Sequence, residues 1–563
     1  MIYHCEDHTC NYWDEGEKLP ERCPQCGRKL LRANETDMTG DDWTALGNTL
    51  WDAEASDKKR MVDCFRKAAY LGSAWGVCNL GICMEQGNGV EADPVQAFWL
   101  YRQAVEMGSL NAVCCLGVCY QYGIGTAPDA EKAAELYCKA AEYGSPRGQM
   151  LLARAFHDGI GVEADAAEAV HWVRAAAYQR YGEGMHRLGV CYEYGDGVEQ
   201  NWEHAVHWFR EAAESGVSAA MTDLGYCYEK GCGVEQSWEQ AFSWYRRGAE
   251  CGYPVSMSNL GLCYKRGYGV EQNWQEAVKW YEQGAQCGHL QSMNNLACCY
   301  EDGEGVEQNE ERALYWYRRG AEAGSDYCMY CLGWNYSNGE GVEQNMTEAI
   351  RWYTAAAEGG NAAAMHSLGW HYDHGEGVEQ DMKKAICWYE RAAEQNHPAA
   401  MNSLGECYAM GRGVPRDLET AMEWYRRAAE LGEAMADYNM GWHLEQAGKL
   451  SEAYAHYRKA ADGNDDSAWW ALGRFYENGV VVAQDGKEAR RCYETGEKLG
   501  SVKCKMRLAR CKLLGIGGRR AKKAGLDLCR QALELAKESS EKEDYGYEAE
   551  MNLLRRTIAE NES

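Results

Sequence analysis

The stretch LGYCYEKGCGVEQSWEQAFSWY, Leu224–Tyr245, decides the fold. Leu224, Cys227 and Tyr228 stand at i, i+3 and i+4, which places them on one face of a helix. Ala241, Trp244 and Tyr245 repeat that spacing on a second helix. The loop between them carries Gly-x-Gly-Val, and its first glycine suits the left-handed turn that ends a helix. Ser237 then supplies an N-cap oxygen for the helix that follows. Helix, tight loop and capped helix fit one compact unit.

Working outward, the unit recurs. Gly81, Gly117, Gly189, Gly225, Gly261, Gly333, Gly369, Gly405 and Gly441 lie on one 36-residue lattice, with Ala153 and Ala297 filling the two missing steps. Gly47 precedes it, and Gly473 and Ala509 follow. The array therefore holds about 14 units, far beyond the minimum of three that stacking requires. Trp208, Trp244, Trp280, Trp316, Trp352, Trp388 and Trp424 keep the same period. Loops such as Gly195-Asp196-Gly197-Val198 and Gly303-Glu304-Gly305-Val306 recur in phase, so they read as turn chemistry and not as phosphate cradles. N-caps arrive on schedule at Asp93, Asp129, Asp165, Asn201, Ser237, Asn273, Asn309, Asn345, Asp381 and Asp417. Ser237 with Gln240 and Asn345 with Glu348 read as capping boxes. Between Gly441 and Gly473 the loop shortens to Gln446-Ala447-Gly448-Lys449.

The Leu-Gly-x-x-Tyr helix, the Gly-x-Gly-Val loop and the Ala-x-x-Trp-Tyr helix together resemble the Sel1-like branch of the tetratricopeptide superfamily. That resemblance implies an all-α fold, a right-handed α–α superhelical solenoid over residues 41–515, with a capping segment at 516–563. It also implies a scaffold or adaptor that holds other proteins or peptides in its concave groove, with no fixed ligand and no enzyme activity.

Residues 1–36 stand apart from the repeat. Cys5-x₄-Cys10 and Cys23-Pro24-Gln25-Cys26-Gly27 offer four thiolates at spacings a tetrahedral zinc site uses. The second knuckle and the twelve residues between the pairs resemble rubredoxin-like zinc ribbons, with Cys5, Cys10, Cys23 and Cys26 as ligands to a structural Zn²⁺. His4 or His8 stands as an alternative to Cys5. Four protein ligands leave no open coordination position, which argues against a catalytic metal.

Composition narrows the function. A net charge of −28 opposes nucleic acid and anionic membranes. No apolar stretch is long enough for a span, and no basic segment leads into an apolar one near Met1, so the expected compartment is the cytoplasm. There most of the 27 cysteines are expected to remain thiols. Cys83, Cys119, Cys191, Cys227, Cys263, Cys299, Cys407 and Cys511 share one repeat position and read as small buried hydrophobes. His371 and His374 share a helix face, though without a third ligand they read as ordinary histidines. Glu91, Glu163, Glu199, Glu235, Glu271, Glu307, Glu343 and Glu379 form a solvated loop edge. Arg519-Arg520-Ala521-Lys522-Lys523 reads as surface. Two rival functions remain: a regulatory or inhibitory subunit holding one enzyme with a basic face, and an enzyme with a site outside the repeat pattern.

Overall fold

The structure, a computed structural model, describes residues 2–5, 13–15, 30–33, 38–51, 55–542 and 547–562. Three short strands, β1 (Ile2–Cys5), β2 (Trp13–Glu15) and β3 (Leu30–Ala33), form an antiparallel sheet in the order β2-β1-β3. Twenty-nine helices follow among the described residues, from α1 (Gly40–Thr49) to α29 (Glu548–Glu562). They fall into fourteen pairs, odd-numbered first helices and even-numbered second helices, with α29 left over. The chain divides into two compact units, Met1–Ser292 and Met293–Ser563, and the division falls within α15 (Leu290–Asp302).

In the first unit, α11 (Ser218–Lys230) and α12 (Trp238–Glu250) show how one pair is built. Ala241 and Tyr245 are fully buried, whereas Trp244 is half-buried and lies under the Arg247 guanidinium at 4.3 Å. The lattice glycine makes room for the tyrosine: a Cβ at Gly225 would stand 2.6 Å from Tyr245 Cε1. The close approach that the small residue permits is thus made by a ring of its own pair. The Tyr245 hydroxyl donates to Glu229 Oε2 at 2.8 Å, which satisfies a buried O–H. Buried rings occupy the same position at Tyr101, Tyr137, Phe209, Tyr281, Tyr317, Tyr353, Tyr389, Tyr425, Tyr457 and Tyr493.

The loops are equally regular. Gly195 caps its helix in the left-handed region, φ 74°, and Gly197 adopts φ 68°. A Cβ on Gly197 would also collide with the Ala166 carbonyl of the preceding pair, so this glycine seats one repeat on the next. The glutamine of the Val-Glu-Gln triplet ties the loop to its first helix. Gln200 Nε2 donates to the Glu193 carbonyl at 2.8 Å, and Gln236 to Glu229 likewise. All ten expected N-caps accept backbone N–H bonds, for example Asp165 from Ala167 (2.9 Å) and Glu168 (3.1 Å). The capping boxes at Ser237 and Asn345 form in one direction only, the Gln240 and Glu348 N–H groups donating to the Ser237 Oγ and Asn345 Oδ1 caps. The N–H of each cap is already bonded to a first-helix carbonyl, Ser237 to Tyr228 and Asn345 to Tyr336.

In the second unit, the core runs through Tyr353, Leu368, Tyr389, Leu404 and Tyr425. The short loop after α23 (Ala434–Gln446) keeps a single left-handed glycine, Gly448 at φ 77°. Val481 takes the place of the second loop glycine in the following pair and is held at φ 66°. Gly515 and Gly517 repeat the two left-handed positions, and α28 (Lys522–Lys542) packs along α27 (Val502–Leu514) as other second helices do. No described helix is long and apolar enough to cross a membrane.

Candidate interaction surface on the first helices

First helices bury Leu, the small lattice residue and the ladder cysteine, and leave a face turned away from their second helix. The residue just after the small one lies on it: Tyr226, Trp334, Trp370 and Trp442 are all exposed there. Large apolar side chains are exposed elsewhere too, such as Trp99, Tyr143 and Tyr315, but here four of them share one repeat position. This face, unlike the core, varies from repeat to repeat.

One variation opens a cavity of about 530 Å³ in the first unit, between α7 (Pro146–Asp158) and α9 (Gly182–Tyr194) and floored by α8 (Ala166–Tyr178). Its cause is local. This pair has Ala153 where the lattice usually has glycine and Val173 where neighbouring pairs have Tyr137 and Phe209. The missing ring leaves Val170, Val173 and Cys191 as an apolar floor. His157 occupies the position at which Glu229 receives the tyrosine hydroxyl in its own pair.

Charged groups ring the mouth. His157 bridges two carboxylates, Nδ1 to Asp158 Oδ1 at 2.7 Å and Nε2 to Asp196 Oδ2 at 3.2 Å. The first of these bonds holds the Asp158 carboxyl below its ordinary range, with Arg154 at 3.4 Å adding to the effect. Glu183 accepts the Tyr181 hydroxyl at 3.1 Å. Among the described residues, Arg187 pairs with Asp196 at 3.7 Å and is 40% exposed. Arg147 donates to Asn111 Oδ1 at 2.8 Å and to Cys115 Sγ at 3.6 Å, neither of them a carboxylate.

In the second unit α29 packs against α27 and α28, seating Tyr547, Met551 and Leu554 with Met506 of α27 and Leu533 of α28, and reaches α25 (Asp466–Asn478) through Trp470. Its Glu550, 6% exposed, accepts from Arg507 Nε at 2.6 Å, Arg507 Nη2 at 2.7 Å and Trp470 Nε1 at 3.2 Å. Arg507 also donates to Glu477 at 3.3 Å, and Arg510 bonds the same carboxylate. Burial alone would lower the Arg507 pKa, but bonding to Glu550 and the charge of both carboxylates outweigh it and raise it.

The residues singled out by sequence are spread through the array. The eight ladder cysteines are buried, and burial pushes thiols such as Cys227 and Cys263 up to about 12. His371 is buried with Nδ1 3.0 Å from the Glu376 carbonyl, whereas His374 is exposed and stacks on Trp370, so the two rings do not converge. The eight loop glutamates are exposed. Within the basic run, Arg520 donates to the Leu513 carbonyl and to Asn561 Oδ1, which ties α29 in place. Cys10, Cys23, Cys26 and His8 lie outside the described residues, and for Cys5 and His4 only the backbone of β1 is described. Among the described residues no group of three or more metal-binding side chains comes together. Neither the cavity nor the seat of α29 follows from the repeat pattern. The available signal was the simultaneous departure of Ala153, His157 and Val173 from their lattice types.

The family model for the Sel1 repeat matches twelve segments of the chain, from residues 76–109 through 468–501. A protective antigen of uropathogenic Escherichia coli, c5321, which displays an SLR fold, is 28% identical with a TM-score of 0.54, over 76% of this chain and 94% of that one. A Sel1 repeat protein from Oxalobacter formigenes is 32% identical over 43% of this chain and 96% of its own, with a TM-score of 0.39. Comparison with curated proteins gives no match.

Proposed function

The chain belongs to the Sel1 repeat family, and from that premise we propose that it is a protein-interaction scaffold whose first-helix face receives segments of other proteins. The observation that carries this reading is the row of exposed aromatics at one repeat position of the first helices: Tyr226, Trp334, Trp370 and Trp442 are rigid anchors of the kind that dominate binding energy at interfaces. The reading assigns the chain no reaction of its own. It sets it in a reducing compartment, the cytoplasm, in keeping with 23 described cysteines that stand as thiols.

The test is site-specific photocrosslinking in native cells, read by mass spectrometry. A crosslinking residue at Trp370 should capture a small reproducible set of proteins, whereas one at the exposed Glu239 on a second helix should not. Equal capture from both positions would remove the first-helix face from the proposal. A single stoichiometric partner would favour the regulatory-subunit reading.

We also propose that Cys5, Cys10, Cys23 and Cys26 hold a structural zinc ion. The support is the sheet: β1 is antiparallel to both neighbours, and Cys5 is the Cα partner of Leu30. Cys26 precedes Leu30 by four residues in the sequence. Four thiolates on a closed tetrahedral ion would tie the two connections together and supply folding energy that so small a sheet lacks.

A further inference from the structure

Cys78 and Cys115 stand off the cysteine ladder, and three consecutive first helices bring them to one point with Arg147. Cys115 lies on α5 (Leu110–Tyr122) and is 5% exposed. From α3 (Ala74–Gln86) on one side, the fully buried Cys78 thiol donates a hydrogen bond to the Cys115 sulfur. From α7 on the other, Arg147 Nη1 donates to the same sulfur at 3.6 Å. Arg147 is exposed, and its other printed bond goes to the neutral Asn111 amide, so the sulfur is the partner its charge has at this point. A sulfur that receives both an S–H and a guanidinium N–H is held as an anion is held. The Cys78 bond, and after it the Arg147 charge, keep the Cys115 thiol below its ordinary range against burial and the Glu85 charge. Cys83, Cys114 and Cys119, the buried thiols nearby that lack this pair of donors, are all pushed up by burial.

We infer that Cys115 is a thiol modified by hydroperoxides and that Cys78 is its resolving partner, so that oxidation bridges two consecutive first helices. The thiolate, not the thiol, is the nucleophile. The Cys115 sulfur attacks one peroxide oxygen: an S–O bond forms, the O–O bond breaks, and the second oxygen leaves as hydroxide. Sulfur is thereby oxidised by two electrons to a sulfenic acid. The Cys78 sulfur then attacks the sulfenic sulfur, the S–S bond forms, and the sulfenic oxygen departs as water with the Cys78 proton. With hydrogen peroxide the sum is two thiols and one peroxide giving one disulfide and two waters. The sulfurs are already in hydrogen-bond contact, and Cα atoms of α3 and α5 approach within 8 Å, close to the about 4.4–6.8 Å that a disulfide spans. In a reducing compartment such a bridge is transient, as redox-sensing disulfides are. Arg147 also lines the cavity beside α7, so oxidation takes away the sulfur it pairs with and changes the charge offered at that rim.

The test exposes the full chain to limiting hydrogen peroxide, blocks remaining thiols with N-ethylmaleimide, and maps unreduced peptides by mass spectrometry. A peptide pair joined through Cys78 and Cys115 is expected before the exposed Cys251, Cys287 and Cys387 are oxidised. Arg147→Gln removes the cation from an exposed position, so the fold survives, and it should slow the joining at least tenfold. Cys78→Ser removes the resolving thiol and should leave a sulfenic acid on Cys115 that dimedone labels. Joining at the same rate in Arg147→Gln would overturn the proposal, because the cation would then have no part in it. So would consumption of the three exposed thiols while Cys115 is still recovered alkylated, and so would a Cys78→Ser chain without dimedone on Cys115. These outcomes leave the crosslinks expected from Trp370 untouched, so the scaffold reading stands or falls separately.

Discussion

Removing the Glu550 carboxylate is the sharpest test of how α29 is held. The side chains of Glu550 and Arg507 are 7% and 14% exposed, so neither charge has water to fall back on. Breaking a buried ion pair by deleting one partner costs about 3–5 kcal/mol, because the survivor is left uncompensated. Here Arg507 keeps Glu477 at 3.3 Å, which places the cost of Glu550→Ala nearer about 2–3 kcal/mol. That free energy falls on the docking of one terminal helix and not on the whole array, since each repeat contacts mainly its neighbours. Amide hydrogen exchange in α29 should therefore quicken by roughly 30- to 150-fold, while α11 and α12 stay unchanged. The double variant Arg507→Met with Glu550→Met removes both charges and should recover most of the protection, because Glu477 retains Arg510 and the Tyr493 hydroxyl. Unchanged exchange in α29 of the single variant would refute the reasoning, and so would a double variant no better than the single one.

Three further outcomes are expected. Val481→Gly relieves a β-branched residue at φ 66° and should stabilise the second unit by about 0.5–1 kcal/mol after the glycine's own chain-entropy cost, read by urea titration. His366, stacked on His397 at 5.2 Å, is depressed to about 4 by burial and by the His397 charge. The unfolded chain binds more protons than the folded one between about pH 6.5 and pH 4. Stability is thus full above that window and falls by up to about 3 kcal/mol on descending through it. His366→Asn, the residue found at the equivalent Asn402, should flatten that dependence in thermal scans. The purified chain should carry one zinc by elemental mass spectrometry, lost on Cys23→Ser. Chelation should unfold the sheet while leaving the helical circular dichroism intact.

The repeat unit was legible at Leu224–Tyr245 because everything that builds it is local. Apolar spacing selects the buried face, Gly-x-Gly accommodates two left-handed residues, and each cap lies within three residues of the N–H it accepts. The ladder cysteines were legible for the same reason, since a residue between Leu and Tyr on a buried face has nowhere else to go. The capping boxes lack the second bond that their sequence suggests: the cap N–H is taken by a first-helix carbonyl nine residues back, which no local motif reveals.

By itself, then, the sequence determined the helices, their pairing, the number of units and the buried positions, since those follow from periodicity and turn chemistry repeated many times over. Tertiary structure alone decided where the surface becomes specific. Arg154 and Arg187 are 33 residues apart and look like any solvated charges until stacked helices bring them to one cavity. Glu550 and Trp470, 80 residues apart, meet only because α29 packs beside α27 with α25 already in register. Neighbouring contacts are encoded once per repeat, whereas a contact that skips repeats depends on how far the chain returns across its own surface, and that is settled only by the packed whole.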